Sequence, residues 1–456
     1  MVKEEHMGSV IFDGKEFPAA LHLTDEKISI NISGLLIINE KDLFKSDWPK
    51  SVAPSEIELL NFKSSIVSST SLFSLYKLHE ENANFDFSGR SDTRFHISFA
   101  LKGANFENFD EICSDNWKID IEDIDKIHNW PKFEDVFDVD VDPSGKAKGI
   151  TSTYYPSKPV IINCPSCDMK LELWRSLSFK KLSRNKQLRT FSYPINLNFT
   201  KPVDFNFALN KIYSVRKFFS FLFGRMLDIN SISMHINDNG IPATVDVYGF
   251  RKILRYKIPS NSIVHLNNIS ELSPLLDKWL EIEENIKLAV NLHYQGLELR
   301  QLNLSLQFQF FIQAIEALHR KTVSSEKQKD INTDKIYSTL RQADVPKDIC
   351  DRIKGMLAHI NEPGLRTRLK SYWDIFSEEL NDTFPTIKKN DIINKLVETR
   401  NYYAHRPDKS ENVLTGYELL RAVNIVKMIS HLAILKEIGV DTKGIGKIMK
   451  KERFIY

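Results

Sequence analysis

Residues Asp391 to Pro407 read Asp-Ile-Ile-Asn-Lys-Leu-Val-Glu-Thr-Arg-Asn-Tyr-Tyr-Ala-His-Arg-Pro. Ile392, Ile393, Leu396 and Val397 recur at helical spacing and give one apolar stripe, which predicts an amphipathic helix. Pro407 disfavours α geometry at Arg406, so the helix is expected to stop at about His405. Arg400 then lies on the last full turn and His405 at the frayed end. The carbonyl-rich end of a helix favours a protonated imidazole, in a side chain that ordinarily titrates near neutral pH. A cation and a titratable base, five residues apart on a helix end, are suitable parts for cleaving a phosphodiester without a metal.

Spacing alone does not single out this pair, because the chain holds 12 His and such an Arg–His interval recurs by chance. Arg90 to His96 is one competitor, but Phe95, Ile97, Phe99 and Leu101 alternate there and read as a strand. Arg352 to His359 is another, in helical pattern, with apolar Ile353 after the arginine. Only at Arg400 do a polar residue after the Arg, a helix end at the His and a local basic excess coincide. A structural Arg–His pair capping a helix covers these residues equally well when they are read by themselves.

Outward from this helix, helical periodicity dominates from Leu272 to the end of the chain. Segments are expected over Leu275–Leu299, Leu302–Lys321, Thr333–Gln342, Pro346–His359, Arg366–Leu380, Lys388–His405 and Leu414–Ile438. Breaks fall at Pro363-Gly364, Phe384-Pro385 and Arg406-Pro407. These stripes describe a helical bundle with a boundary near residue 300, followed by a loose Lys/Gly tail after Gly439.

Residues 9 to about 200 read mainly as strands. Val10–Phe12, Ile28–Ile32, Ile57–Phe62, Phe95–Phe99 and Ile195–Phe199 are short, apolar or alternating. Turn signals at Asp13-Gly14 and Ser33-Gly34 support a meander or sandwich. Phe207, Ile212, Val215, Phe218, Phe219 and Leu222 then mark a buried helix ending near Gly224. Strands over Ile232–Ile236 and Val245–Tyr248 follow. The acidic run Asp120–Asp142 lacks the ligand spacing and mid-loop Gly of an EF-hand, and reads as a solvated acidic surface, with an acidic partner-facing surface as the alternative.

Arg400-Asn401-x-x-x-His405 resembles the signature of HEPN ribonuclease domains, an Arg, a polar residue, three to five further residues and a His. Leu304-Ser-Leu-Gln-Phe-Gln-Phe-Phe-Ile-Gln-Ala-Ile-Glu-Ala-Leu-His-Arg320 is similar to the first helix of that group, with Glu316 at its acidic position. A long β-rich half joined to such a module resembles the ApeA-type anti-phage defence proteins, and Pro194–Phe199 leading into the aromatic helix adds to this likeness. The resemblance implies an α+β protein: a β-rich N-terminal sensor or regulatory domain over 1–265, a connecting helix over 266–300 and an all-α HEPN-like ribonuclease domain over 301–456.

It also implies a metal-independent endoribonuclease acting on single-stranded or looped RNA, with tRNA a plausible target, in abortive-infection defence. His405 would transfer protons, Arg400 would grip phosphoryl oxygens, Asn401 would orient either group and Glu316 would contact a motif residue. Two chains would pair as a homodimer through the C-terminal bundle so that both motifs line one cleft. Tyr402, Tyr403 and Arg406 would contact RNA, although packing explains the tyrosines equally well. A phage-encoded trigger would act through the N-terminal half. The rival reading is a non-catalytic HEPN module for dimerisation or RNA binding, with the N-terminal half as sensor.

Cys164-Pro165-Ser166-Cys167 lies between apolar Val160–Ile162 and alternating Met169–Leu173, as strand, turn, strand. Two thiolates on a tight turn are half of a tetrahedral zinc site. No second Cys pair follows at ribbon spacing, so a metal-free hairpin turn stands ahead of a structural zinc, and redox chemistry comes last because no thioredoxin-like βαβ pattern surrounds the pair. No cofactor is required for the cleavage chemistry. Four Cys in so long a chain fit a reducing compartment. The N-terminus has no apolar signal core, and no long uncharged apolar run occurs, so the expectation is a cytoplasmic protein that does not engage a membrane. The formal net charge of +2 is too small to point to nucleic acid, but basic residues outnumber acidic ones from Gln301 onward.

Overall fold

Alternating apolar residues along the first hundred positions fold into strands that each bury one face. Ala19, Leu21 and Leu23 do so on one strand, Ile28, Ile30 and Ile32 on the next, and Phe95 and Ile97 on a third. The computed structural model describes residues 3–12, 14–24, 27–34, 56–66, 69–85, 91–127, 136–141, 147–153, 158–183, 186–238, 241–249, 262–264, 269–298, 303–322, 333–343, 345–357, 362–405 and 411–451. The contacts divide the chain into two compact units, 1–217 with 227–258 and 267–273, and 218–226 with 259–266 and 274–456.

The first unit begins with β1 (Lys3–Phe12), β2 (Lys15–Thr24), β3 (Ile28–Ser33), β4 (Glu56–Ile66), β5 (Ser69–Phe85) and β6 (Ser91–Lys102). Phe12 lies opposite Lys15 and Gly14 has a φ of 74°, whereas Asp13 of the expected turn lies outside the described residues. All pairings are antiparallel, and β6 closes on both β3 and β5, so the six strands form a ring in the order β1-β2-β3-β6-β5-β4. A barrel, rather than an open meander or sandwich, is the result. Val10, Leu21, Ile30, Phe62, Phe73, Leu75 and Phe95 fill its interior.

β1 meets β4 over Gly8–Val10. A Cβ at Gly8 would lie 2.0 Å from the Lys63 carbonyl oxygen, so glycine is what lets the two backbones approach.

The remaining elements of this unit are β7 (Cys113–Ile121), β8 (Val136–Val141), β9 (Ala147–Thr153), β10 (Val160–Cys164), β11 (Met169–Leu173), β12 (Ser176–Ser183), β13 (Lys186–Ser192), β14 (Ile195–Asp204), β15 (Ile229–Asp238) and β16 (Ile241–Tyr248). The end of β6 pairs with β16, which starts a second run in the order β16-β15-β7-β14-β11-β10. β8–β9 and β12–β13 are separate two-stranded ribbons.

The aromatic helix α1 (Phe205–Phe223) follows β14 directly. The Asp204 carboxylate accepts from Phe207 N at 2.9 Å and so caps it, and Gly224 ends it at a φ of 63°. Phe205 packs edge-on against Tyr76, Phe99 and Phe109. Of the acidic run, Asp120 on β7 is half-buried rather than solvated, and burial pushes its carboxyl up from the ordinary aspartate range. Asp142 lies outside the described residues.

The helical unit contains α2 (Leu272–Glu298), α3 (Leu304–Thr322), α4 (Thr333–Gln342), α5 (Lys347–Leu357), α6 (Leu365–Ile375), α7 (Ser377–Thr383), α8 (Lys389–His405), α9 (Gly416–Glu437) and α10 (Ile445–Lys451). From Pro274 onward α2 packs with this unit. Every residue of α9 from Ala422 to Leu435 is buried, which makes it the central helix. α3 packs against it and buries Phe308, Phe311, Ile312, Ile315 and Leu318. Among the described residues, no helix is long and apolar enough to cross a membrane.

Two helical expectations are corrected. The segment expected to run unbroken from Arg366 to Leu380 is two helices, α6 and α7, which meet at Phe376. The tail after Gly439 is not loose up to Lys451. It carries α10, which buries Ile445 and Met449 one turn apart and packs against α7. Gly446 makes that contact possible, since a Cβ there would stand 2.7 Å from the Glu379 carbonyl oxygen.

Candidate functional site

α8 ends at His405, at the position that Pro407 dictates. Its buried side is Ile393, Leu396 and Thr399, with Ile392 and Val397 half-buried beside them. Arg400 is therefore turned partly outward on the next position. One guanidinium nitrogen of Arg400 lies 3.4 Å from His405 Nε2 and 3.4 Å from Asn401 Oδ1. Guanidinium has donors only, so Nε2 accepts in this contact and the proton of a neutral imidazole sits on Nδ1. The other terminal nitrogen stands 3.7 Å from the Glu316 carboxylate on α3. Arg400, Asn401, His405 and Glu316 thus form one cluster across two helices.

Asn303 begins the helix that delivers Glu316. Its side-chain oxygen accepts from Ser305 N at 3.0 Å and Leu306 N at 3.2 Å. Ile312, Ile315 and Leu318 turn inward, and this leaves Glu316 half-buried at the edge of the packed stripe. His319 on the same helix is buried edge-on to Tyr372. Burial, and then the nearby Arg368, holds it below the usual histidine range. His293 and His431 are fully buried. Among the described residues of the helical unit, His405 is the exposed imidazole.

Tyr402 and Tyr403 are half-buried and meet edge to face at 5.3 Å, with burial raising the Tyr403 hydroxyl above the ordinary tyrosine range. Arg406 lies outside the described residues, as do Arg90 and His359 of the competing intervals. His96, the other end of the first competitor, is on β6 as its alternation requires.

Thr399 was not legible as a site residue. Its hydroxyl accepts from Leu414 N at 3.0 Å in a buried contact, and Glu398 receives the Asn412 amide at 3.1 Å. These bonds pin residues 412–414 along the last turns of α8. A threonine at the i+3 position from buried Leu396 was the available signal.

Cys164 and Cys167 flank a single turn between β10 and β11, the expected strand, turn, strand. Cys164 is buried, and the Cys167 thiol reaches the Cys164 carbonyl at 3.7 Å. Among the described residues, no three His, Cys, Asp or Glu side chains gather to hold a metal ion. Two thiols supply half of the tetrahedral ligand set of a structural zinc.

A packed helical bundle with an exposed Arg–His pair on one helix end, braced by an acidic residue of another, defines a HEPN-type module, here behind a β-barrel-rich N-terminal region. Family models agree: Apea-like HEPN matches residues 311–443, and ApeA N-terminal domain 1 matches residues 5–280. The chain belongs to the ApeA family of HEPN-containing anti-phage defence proteins. No curated protein and no solved structure gives a significant match.

Proposed function

We propose that this protein is a metal-independent endoribonuclease that cuts single-stranded or looped RNA, tRNA among the plausible targets, when phage infection releases its activity. The observation that carries the reading is the 3.4 Å approach of Arg400 to His405 Nε2 at an exposed helix end, with Glu316 behind the arginine. RNA brings its own nucleophile, the 2′-hydroxyl. His405 takes its proton, the oxygen attacks the adjacent phosphorus, and the 5′-oxygen leaves with a proton from an acid. Arg400 lies against the phosphoryl oxygens as negative charge builds on them. The products are a 2′,3′-cyclic phosphate and a 5′-hydroxyl.

One motif supplies one imidazole, and base and acid are both required. A homodimer through the helical unit, with two motifs facing one cleft, supplies the second. Tyr402, Tyr403 and Arg406 then stack on or grip the unpaired strand. The N-terminal region is the natural receiver of a phage-encoded trigger, in the cytoplasm where the RNA is.

The test compares wild type with His405→Ala in cells under a regulated promoter, mapping RNA 3′ ends, and repeats cleavage with purified protein in chelator. Cyclic-phosphate ends that appear with wild type, persist in chelator and vanish with His405→Ala are expected. Cleavage by folded His405→Ala at the wild-type rate refutes the catalytic reading. RNA retention without any cleavage by wild type favours the non-catalytic HEPN module.

A further inference from the structure

Arg368 is a cation in an unfavourable place. It lies in the first turn of α6, where the helix dipole opposes positive charge, and it is 3% exposed. A buried guanidinium is costly unless its donors are matched. Here they are matched in three directions. Nε donates to the Pro363 carbonyl at 2.7 Å, one terminal nitrogen donates to the Glu316 carbonyl at 2.8 Å and the other to the Glu362 carboxylate at 3.1 Å. Glu362 also reaches Arg320, at the end of α3, at 3.2 Å.

The second of these bonds bears on the site. Glu316 sits between two arginines: Arg368 holds its main-chain carbonyl, and its side-chain carboxylate stands 3.7 Å from Arg400. Carbonyls inside a helix already accept one backbone bond, so this additional donor is not needed to complete α3. Its effect is to fix the rotation and height of the turn that carries Glu316. The contact between Glu316 and Arg400 is long enough that a shift of one ångström would break or shorten it.

We infer that Arg368 is a positioning residue for the Arg400–His405 pair, acting through Glu316. The line runs Glu362, Arg368, Glu316, Arg400, His405, every link being within 3.7 Å. Lysine at 368 would keep the charge but reach only one of the three acceptors, because it lacks the planar fork. The effect on cleavage rests on the ribonuclease reading above, whereas the effect on the arginine does not.

The experiment therefore has two arms. In full-length protein labelled at arginine nitrogens, the Arg400 Nε–H resonance, assigned by its loss in Arg400→Lys, reports how rigidly that side chain is held. A dispersed, sharp signal is expected in wild type. It should collapse to the position of mobile arginine in both Glu316→Gln and Arg368→Lys. In the cleavage arm, Arg368→Lys should lower kcat about tenfold with KM within twofold of wild type. The double variant Arg368→Lys/Glu316→Gln should lose no more than the worse single one.

An Arg400 resonance unchanged in folded Arg368→Lys overturns the inference, whether or not the protein cuts RNA. So do additive losses in the double variant. Should Arg368→Lys fail to fold, Glu362→Ala replaces it, removing one acceptor from the fork at a half-exposed position. A broadened Arg400 signal in that variant is the expected result, and an unchanged one counts against the inference. Absence of cleavage by wild type, with the resonance pattern as expected, refutes the ribonuclease reading and leaves the positioning role intact.

Discussion

The Glu316 carboxylate on α3 stands 3.7 Å from the Arg400 guanidinium on α8, although 84 positions separate them in sequence (400 − 316). Both side chains keep water contact, so the pair adds little to stability, at most about 1 kcal/mol. What it supplies is direction, because it holds one edge of the guanidinium while the other edge faces His405. Glu316→Gln is therefore expected to leave the melting temperature within a few degrees of wild type and to lower cleavage by about tenfold. Calorimetry and single-turnover cleavage on the same preparation check this. Activity equal to wild type would separate Glu316 from the site.

Thr399 bears on how the motif is held rather than on what it does. Its hydroxyl accepts from the buried Leu414 N–H, and the isosteric Thr399→Val leaves that donor without a partner. The expected cost is about 1–3 kcal/mol. Thr399→Ser, which keeps the oxygen, should recover most of it. Denaturant unfolding of the two variants side by side decides the matter, and equal stability of both would mean that the bond contributes nothing.

The legible parts of this fold were the local ones. The pairing of Phe12 with Lys15, the alternating strands and the stop at His405 each follow from a few adjacent residues. Closure of the barrel was not legible, because it depends on β6 accepting both β3 and β5 and on Gly8 crossing Lys63, pairings between distant segments. The break at Phe376 has neither proline nor glycine to announce it. α10 escaped because lysines dominate its composition, yet Ile445 and Met449 at i and i+4 are the stripe that docks it.

Within the site, Arg400 and His405 could be read from one helix, since a helix end fixes both. Glu316 came from family likeness alone. Arg368 could not be found at all, because nothing in Leu365–Ile375 distinguishes a buried arginine from the exposed Arg366 two residues before it.

The docking of α10 gives a prediction on the packing side. Gly446→Val would place carbon 2.7 Å from the Glu379 carbonyl oxygen and 3.0 Å from the Thr383 hydroxyl. Overpacking of this kind typically costs about 1–3 kcal/mol. Because α10 is terminal, the expected outcome is its release rather than global unfolding. Limited proteolysis should then cut between Gly439 and Lys451 much faster than in wild type, with the remaining core intact. An unchanged digestion pattern would contradict the packing described for α10.

The interior of the helical unit also sets a dependence on pH. His431 Nε2–H donates to the Phe221 carbonyl at 2.9 Å, so its Nδ1 accepts from His293 Nε2–H at 3.2 Å, and His293 Nδ1 lies 2.8 Å from the Ser430 hydroxyl, whose one proton it shares with the Lys427 carbonyl at 3.0 Å. This relay uses two neutral imidazoles, and a proton added to His431 Nδ1 would face the His293 N–H. Burial and then the Lys427 charge push His431 down to about 3, while burial, His431 and Lys427 hold His293 well below the ordinary value. An unfolded histidine titrates at about 6.5.

The unfolded state therefore binds up to two more protons than the native state as pH falls below about 6.5, and stability is lost in that direction. At pH 5 His431, held at about 3, accounts for about 2 kcal/mol relative to pH 7, and His293 adds to the loss in the same direction. Glu379 and Glu437, whose carboxyls burial raises, act with the opposite sign and blunt the slope. Comparison with His431→Gln removes that background. Wild type should lose stability between pH 7 and pH 5 by about 2 kcal/mol more than the variant does. Parallel stability curves for the two proteins across that range would show that the pair is not held neutral.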